Sequence, residues 1–163
     1  MAALKYWVWL TTLPGLGERA KLQLLAHFGS PEEIYFAPEG ELLLVEGITK
    51  LQAALLADKS LDRAEKVLED CAKDGQFLLT MDDAGYPARL RNIYDPPLLL
   101  YGKGSLPLFD DEVAVTVVGT RDCTPYGVRA ASQLGYELAR QGALLVSGMA
   151  KGIDGAAMRG ALQ

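Results

Sequence analysis

The stretch Val113-Ala-Val-Thr-Val-Val-Gly-Thr-Arg121, a helix-like segment, and then Ala143-Leu-Leu-Val-Ser-Gly-Met-Ala-Lys-Gly-Ile-Asp154 decide how this chain folds. Val113 to Val118 is a continuous apolar run rich in β-branched residues, which suits a parallel strand buried on both faces. Thr124-Pro125 reads as an N-cap with proline at the first helical position, and Gly142 as the stop of a helix of about four to five turns. Leu144 to Ser147 is the second strand. A right-handed crossover makes the two strands parallel, so the loops Gly119 to Cys123 and Gly148 to Ile153 leave the same carboxyl edge of the sheet. Each loop brings glycines, backbone N–H groups at a helix mouth, and one cation, Arg121 or Lys151. Such an edge suits an anion, above all phosphate, with Gly119, Thr120, Arg121, Ser147, Gly148, Lys151 and Gly152 as its residues.

The pattern excludes several familiar phosphate binders. Gly119-Thr-Arg is not G-x-G-x-x-G, and Ser147-Gly148 stands where a dinucleotide site would close its second strand with an acid, which disfavours NAD and FAD. No G-x-x-x-x-G-K-[ST] occurs. With one histidine, His27, a Ser-His-Asp arrangement or a multi-histidine metal centre is nearly excluded, and two isolated cysteines, Cys71 and Cys123, are too few for a zinc set. No catalytic residue, metal ligand or cofactor is assigned. Two lone thiols without a disulfide framework fit a reducing cytoplasm. The opening Met1 to Leu10 lacks the cleavage pattern of a signal peptide, and no 18-residue apolar segment is present.

The 163 residues carry a formal net charge of −5. That charge is unevenly spread. Residues 1–75 hold eight basic and twelve acidic side chains, whereas residues 119–163 hold five and three. The anion edge therefore lies in the one modestly basic part of an acidic chain.

Upstream, Tyr6 to Leu13 reads as a short apolar helix and Leu13-Pro-Gly-Leu-Gly-Glu-Arg-Ala-Lys-Leu-Gln-Leu-Leu25 as a helix-hairpin-helix turn. Gly15 and Gly17 would let backbone amides approach a nucleic-acid phosphate; a plain glycine turn between two core helices accounts for the same residues. Val45-Glu-Gly-Ile-Thr-Lys repeats the turn, with Thr49 in place of the second glycine, a change expected to keep packing and lose the contact. His27 is placed to cap a helix C-terminus, and Ser60 to Asp74 reads as an amphipathic helix ended by Gly75. Gln76 to Thr80 and Pro96 to Tyr101 read as strands extending the later sheet, with at most a short helix at Tyr86 to Ile93. The resulting division is 1–75, all helical, and 76–163, α/β.

Gly119-Thr-Arg with Thr124-Pro-Tyr-Gly127, then Val146-Ser-Gly-Met-Ala-Lys-Gly-Ile-Asp154 and Arg159-Gly-Ala-Leu162, resembles the DNA-processing protein A family (DprA/Smf). Asp82-Asp-Ala-Gly-Tyr-Pro87 and Asp95-Pro-Pro-Leu-Leu-Leu-Tyr-Gly102 resemble the same family's lead-in. Met158 departs from it, standing where the family usually has histidine, at a helix position better suited to packing than to chemistry. The resemblance implies an N-terminal helix-hairpin-helix or SAM-like domain followed by a Rossmann-like parallel sheet. The sheet is expected to be truncated in this chain, with the strand 144–147 lacking its outer neighbour. It also implies a cytoplasmic single-stranded DNA binder in natural transformation that hands DNA to a RecA-type recombinase, dimeric at full length.

Two other classes compete. A nucleotide-processing enzyme of the phosphoribohydrolase kind would need Asp154 or Asp122 as its acid or base, although Asp154 also reads simply as a helix N-terminal residue. A protein-docking module would use the acidic helical part. Tyr126 is the aromatic near enough in sequence to stack on a base, with a core role as the expectation.

Overall fold

Tyr6-Trp-Val-Trp-Leu10 is apolar all round, and a helix with no polar face belongs at the centre of a core. In the computed structural model, which describes residues 3–163, these five residues form the middle of α1 (Leu4–Thr12) and every one is buried. The first two residues of the Met1 to Leu10 stretch lie outside the described part. Around α1 follow α2 (Glu18–Phe28), α3 (Pro31–Phe36), α4 (Glu39–Leu42), α5 (Lys50–Leu55) and α6 (Asp62–Lys73). Next come β1 (Gln76–Thr80), α7 (Ala88–Arg91) and β2 (Leu99–Lys103), and then β3 (Ala114–Thr116), α8 (Pro125–Arg140), β4 (Leu144–Val146) and α9 (Ile153–Ala161). The chain forms two compact units, one running through Leu106 and the other spanning Pro107–Gln163.

In the first unit, β1 and β2 do not extend the later sheet as the sequence suggests. They pair with each other, antiparallel, from Gln76 opposite Lys103 to Thr80 opposite Leu99, and form a sheet of their own. Leu98 and Leu99 are buried in the cluster that also holds Trp7, Val8 and Leu10, so burial draws this ribbon to the helices. Compactness therefore breaks after Leu106, although the sequence changes character at Gly75. The C-terminus of α2 is closed by the Gly29 N–H donating to Leu25 O (2.8 Å), while His27 packs edge-on against Phe28 instead of capping.

Near the core, Trp9 Nε1 donates to Asp58 O (2.9 Å) and Tyr35 Oη to Lys59 O (2.6 Å). This brings the Lys59 ammonium 5.3 Å from the Trp9 ring and 5.1 Å from that of Tyr35. Burial lowers the Lys59 pKa below the ordinary lysine value. The folded chain then holds fewer protons at Lys59 than the unfolded chain, so this group's contribution to stability rises with pH as the ordinary lysine value is approached. Lys59→Met should remove that part of the alkaline rise in a chemical-denaturation series; an unchanged pH profile would count against it.

In the second unit, β3 and β4 run parallel, Ala114 opposite Leu144 and Thr116 opposite Val146, as the crossover requires. Among the described residues β4 has no other neighbour. Thr124 caps α8 by accepting from the Gly127 N–H (3.1 Å), with Pro125 in the first turn. α8 and α9 cross backbone against backbone: a Cβ on Gly135 would lie 2.0 Å from Ala157 O, and one on Gly160 1.9 Å from Ser132 O. Gly160→Ala must therefore push the helices apart, and should cost about 1–3 kcal/mol or more. The exposed Gln133→Ala should stay within about 0.5 kcal/mol. Equal denaturation midpoints for the two variants would refute the close crossing.

Candidate functional site

The two loops at the carboxyl edge of β3 and β4 are tied by a carboxylate. Asp154, in the first turn of α9 and 4% exposed, accepts from the Gly119 N–H at Oδ1 (2.9 Å) and from Ser147 Oγ at Oδ2 (3.1 Å). Ser147 Oγ in turn accepts from the Met149 N–H (3.2 Å), and the Ile153 N–H donates to Thr120 O (3.2 Å). Gly152, at φ 91°, lets the second loop lie directly on the first, since a Cβ there would fall 2.2 Å from Thr120 O and 2.6 Å from Arg121 O. Gly119, Thr120, Ser147 and Gly152 are thus brought together as the sequence predicts.

Their roles differ from the expectation in one respect. Thr120 Oγ donates to Asp122 O (3.1 Å) and Ser147 Oγ to Asp154, so each hydroxyl's single proton is engaged within the loops. These side chains hold the edge in shape.

Beside the tied loops lies an open groove of about 550 Å³ lined by Arg121, Asp122, Cys123, Thr124, Val128, Gly152 and Arg159. Thr124 and Val128 place it at the N-terminal end of the 16-residue α8, where the helix dipole favours negative charge. Arg121 supplies one guanidinium. The second is Arg159, not Lys151: Lys151 is exposed and does not line the groove, nor does Gly148, which is also exposed. Among the described residues neither arginine is paired with a carboxylate. Arg159 Nη1 lies 3.3 Å from where a Cβ on Gly155 would stand, one turn nearer the N-terminus of α9. Helical side chains lean that way, so the spacing of Arg159 from Gly155 and Gly152 was a legible signal that reading only the loops missed. Met158 is half-buried in α9.

Tyr126, in the first turn of α8, is 73% exposed, contrary to the core role expected of it. No cluster of metal-ligating side chains occurs among the described residues, and none of their helices is long and apolar enough to cross a membrane.

The other candidate, the turn at Gly15 and Gly17, proves to be half of a repeat. Gly15 and Gly47 share the same conformation, φ 82° and 83°. A Cβ on Gly15 would meet Leu55 Cδ1 at 3.2 Å and one on Gly47 the Gln23 amide at 2.9 Å. Leu55 stands at the same distance along the chain from Gly47 as Gln23 does from Gly15, so each turn packs on the other's helix in the same way. Buried Leu16 and Leu24 match Ile48 and Leu56. Thr49 and Gln52 form a capping box at the head of α5. Lys21 is 4% exposed, its Nζ donating to Thr11 O (3.2 Å) and Glu18 Oε1 (2.8 Å), so it closes the first turn and is unavailable to a ligand. Between the turns a groove of about 400 Å³ is lined by Gly17, Arg19, Gln23, Glu46, Gly47 and Gln52, among others, and is of mixed charge.

The profile of the family described as DNA recombination-mediator protein A matches residues 77–163. The chain is 38% identical over 90 residues to the DNA processing protein DprA of Bacillus subtilis, covering 55% of this chain and 30% of that protein. It is 31% identical over 153 residues to protein Smf of Synechocystis sp., covering 91% and 38%. The X-ray structure of DNA processing protein A from Streptococcus pneumoniae superposes with a TM-score of 0.70 at 27% identity, over 98% of this chain and 54% of that one. The chain thus spans less than two-fifths of these two curated relatives' length. With both glycine loops, Arg121, Arg159 and β2 inside the matched region, the chain belongs to the DNA recombination-mediator protein A family, the DprA/Smf proteins.

Proposed function

We propose that the carboxyl edge of β3 and β4 binds single-stranded DNA through its phosphates, without turnover. In the longer family proteins, which we take to be cytoplasmic homodimers, the same edge would serve natural transformation by passing the strand to a RecA-type recombinase. One observation carries the reading: two unpaired guanidiniums, Arg121 and Arg159, face one groove at the mouth of α8, beside loops whose backbones are held together by Asp154. A planar fork can bond a phosphate bidentately, and a groove of this kind reads charge and not sequence. Gly119, Gly148, Gly152 and Lys151 contribute amides and charge at the rim. The turn at Gly15 and Gly17 is a weaker contact, set beside Arg19 and opposed by Glu46.

The competing reading, a nucleotide hydrolase, needs a carboxylate free to move a proton. Asp154 is buried with both oxygens engaged, which leaves only exposed Asp122 and favours the binding reading. Titrating a labelled single strand across salt concentrations, alongside an assay for release of base from nucleoside monophosphates, tests the two together. Salt-dependent, sequence-indifferent binding without turnover is the expected result. Turnover lost in Asp122→Asn would establish the rival. Arg19→Ala should weaken binding less than Arg121→Ala; the reverse order would make the helical turn the principal site.

A further inference from the structure

Lys59 carries a charge that the fold leaves without a partner. Its Nζ is closed off from solvent and has no hydrogen-bond acceptor among the described residues, and no ion pair among them includes it. The other orphaned buried atom, Glu18 Oε2, belongs to a carboxylate already bonded to Lys21 through Oε1. An ammonium has three donors, and the Trp9 and Tyr35 rings beside it attract its charge but offer no lone pair to those donors. Because Trp9 and Tyr35 also donate to Asp58 O and Lys59 O, the backbone beneath this side chain is held in place. Burial without a counter-charge is what lowers its pKa.

Lys59 also lines a cavity of about 180 Å³ whose walls are otherwise mainly apolar, with Leu42, Ala53, Leu56 and Ala57 on them and exposed Glu39 as the one acid. An ammonium in need of an acceptor, beside space lined by methyl groups, is complementary to a single negative charge on a short aliphatic stem. Inorganic phosphate fits less well: its remaining oxygens would lie against methyl groups with no donor, and its second charge would meet Glu39. We infer that this cavity is a binding site for a short-chain monocarboxylate, whose carboxylate accepts from Lys59 Nζ and whose alkyl stem packs on Leu42, Ala53 and Leu56. The site belongs to the first unit and is independent of the phosphate edge in the second. A charge-assisted bond to the ammonium supplies the affinity, and the small volume limits the length of the stem.

The test titrates the whole chain with sodium butyrate, and with butyramide as its uncharged isostere, at ionic strength matched with sodium chloride. The readouts are the methyl NMR signals of Ala53 and Leu56 and the melting temperature. Butyrate should shift those signals saturably, with a Kd on the order of 1 mM, and raise the melting temperature, because a ligand held by the folded state alone stabilises it. Butyramide should bind about tenfold more weakly, and Lys59→Met should lose about tenfold in affinity for butyrate, since each lacks one partner of the charged bond. Ala57→Leu fills the cavity from an exposed position and leaves Lys59 in place, so it should abolish binding, and it decides the matter if Lys59→Met fails to fold. No saturable shift with butyrate in the wild-type chain, equal affinity for butyrate and butyramide, or undiminished butyrate affinity in a folded Lys59→Met or Ala57→Leu chain overturns the inference.

Discussion

Asp154→Ala should destabilise the Pro107–Gln163 unit by about 3 kcal/mol and abolish most DNA binding with it. The carboxylate is buried and takes two bonds, one from a backbone N–H of the first loop and one from a hydroxyl of the second. Its removal leaves the Gly119 N–H without an acceptor and frees Ser147, and bonds to a charged group of this kind contribute about 1.5–3 kcal/mol. Asp154→Asn should be milder, about 1 kcal/mol, because an amide can accept from Gly119 and donate to the Ser147 oxygen. The most direct readout is hydrogen exchange at the Gly119 amide, which reports this tie even though the chain has two units. Protection retained in Asp154→Ala would mean that the loops are held by other contacts.

Arg121→Ala and Arg159→Ala should each weaken single-stranded DNA by about tenfold, equally for all sequences, and the double variant by about a hundredfold. Each loss should reduce the magnitude of the salt slope by about 0.7, the share of one phosphate on a single strand. Arg121→Lys should remain impaired, since an ammonium cannot reproduce the bidentate fork. Lys151→Ala should have the smaller effect, because Lys151 stands outside the groove. Both arginines are exposed and unpaired, so melting temperatures should stay close to wild type. Unchanged slopes in all variants would remove the phosphate assignment. A lowered melting temperature with an unchanged slope would show that Arg121 only braces its loop.

Local chemistry alone determined the parts of this protein whose causes lie within a few residues. Thr124-Pro125 caps and starts α8, the β-branched run before Gly119 makes a strand, and the crossover rule makes it parallel to Leu144–Val146. Those steps also place Gly119, Thr120, Arg121, Ser147 and Gly152 at one edge. Tertiary structure decided whatever depends on which surfaces meet. β1 reads as a strand from its own residues, yet whether it joins the later sheet or pairs only with β2 depends on where Leu98 and Leu99 are buried. Asp154 reads as a helix N-terminal residue or as an acid or base, and only the fold shows both its oxygens occupied across the gap between the loops. Arg159 replaces Lys151 as the second cation because a helical side chain leans back one turn and a loop side chain follows a backbone that Gly152 redirects. Sequence spacing fixes periodicity along one element, whereas convergence of two elements is set by packing between them, and that packing supplied the second arginine.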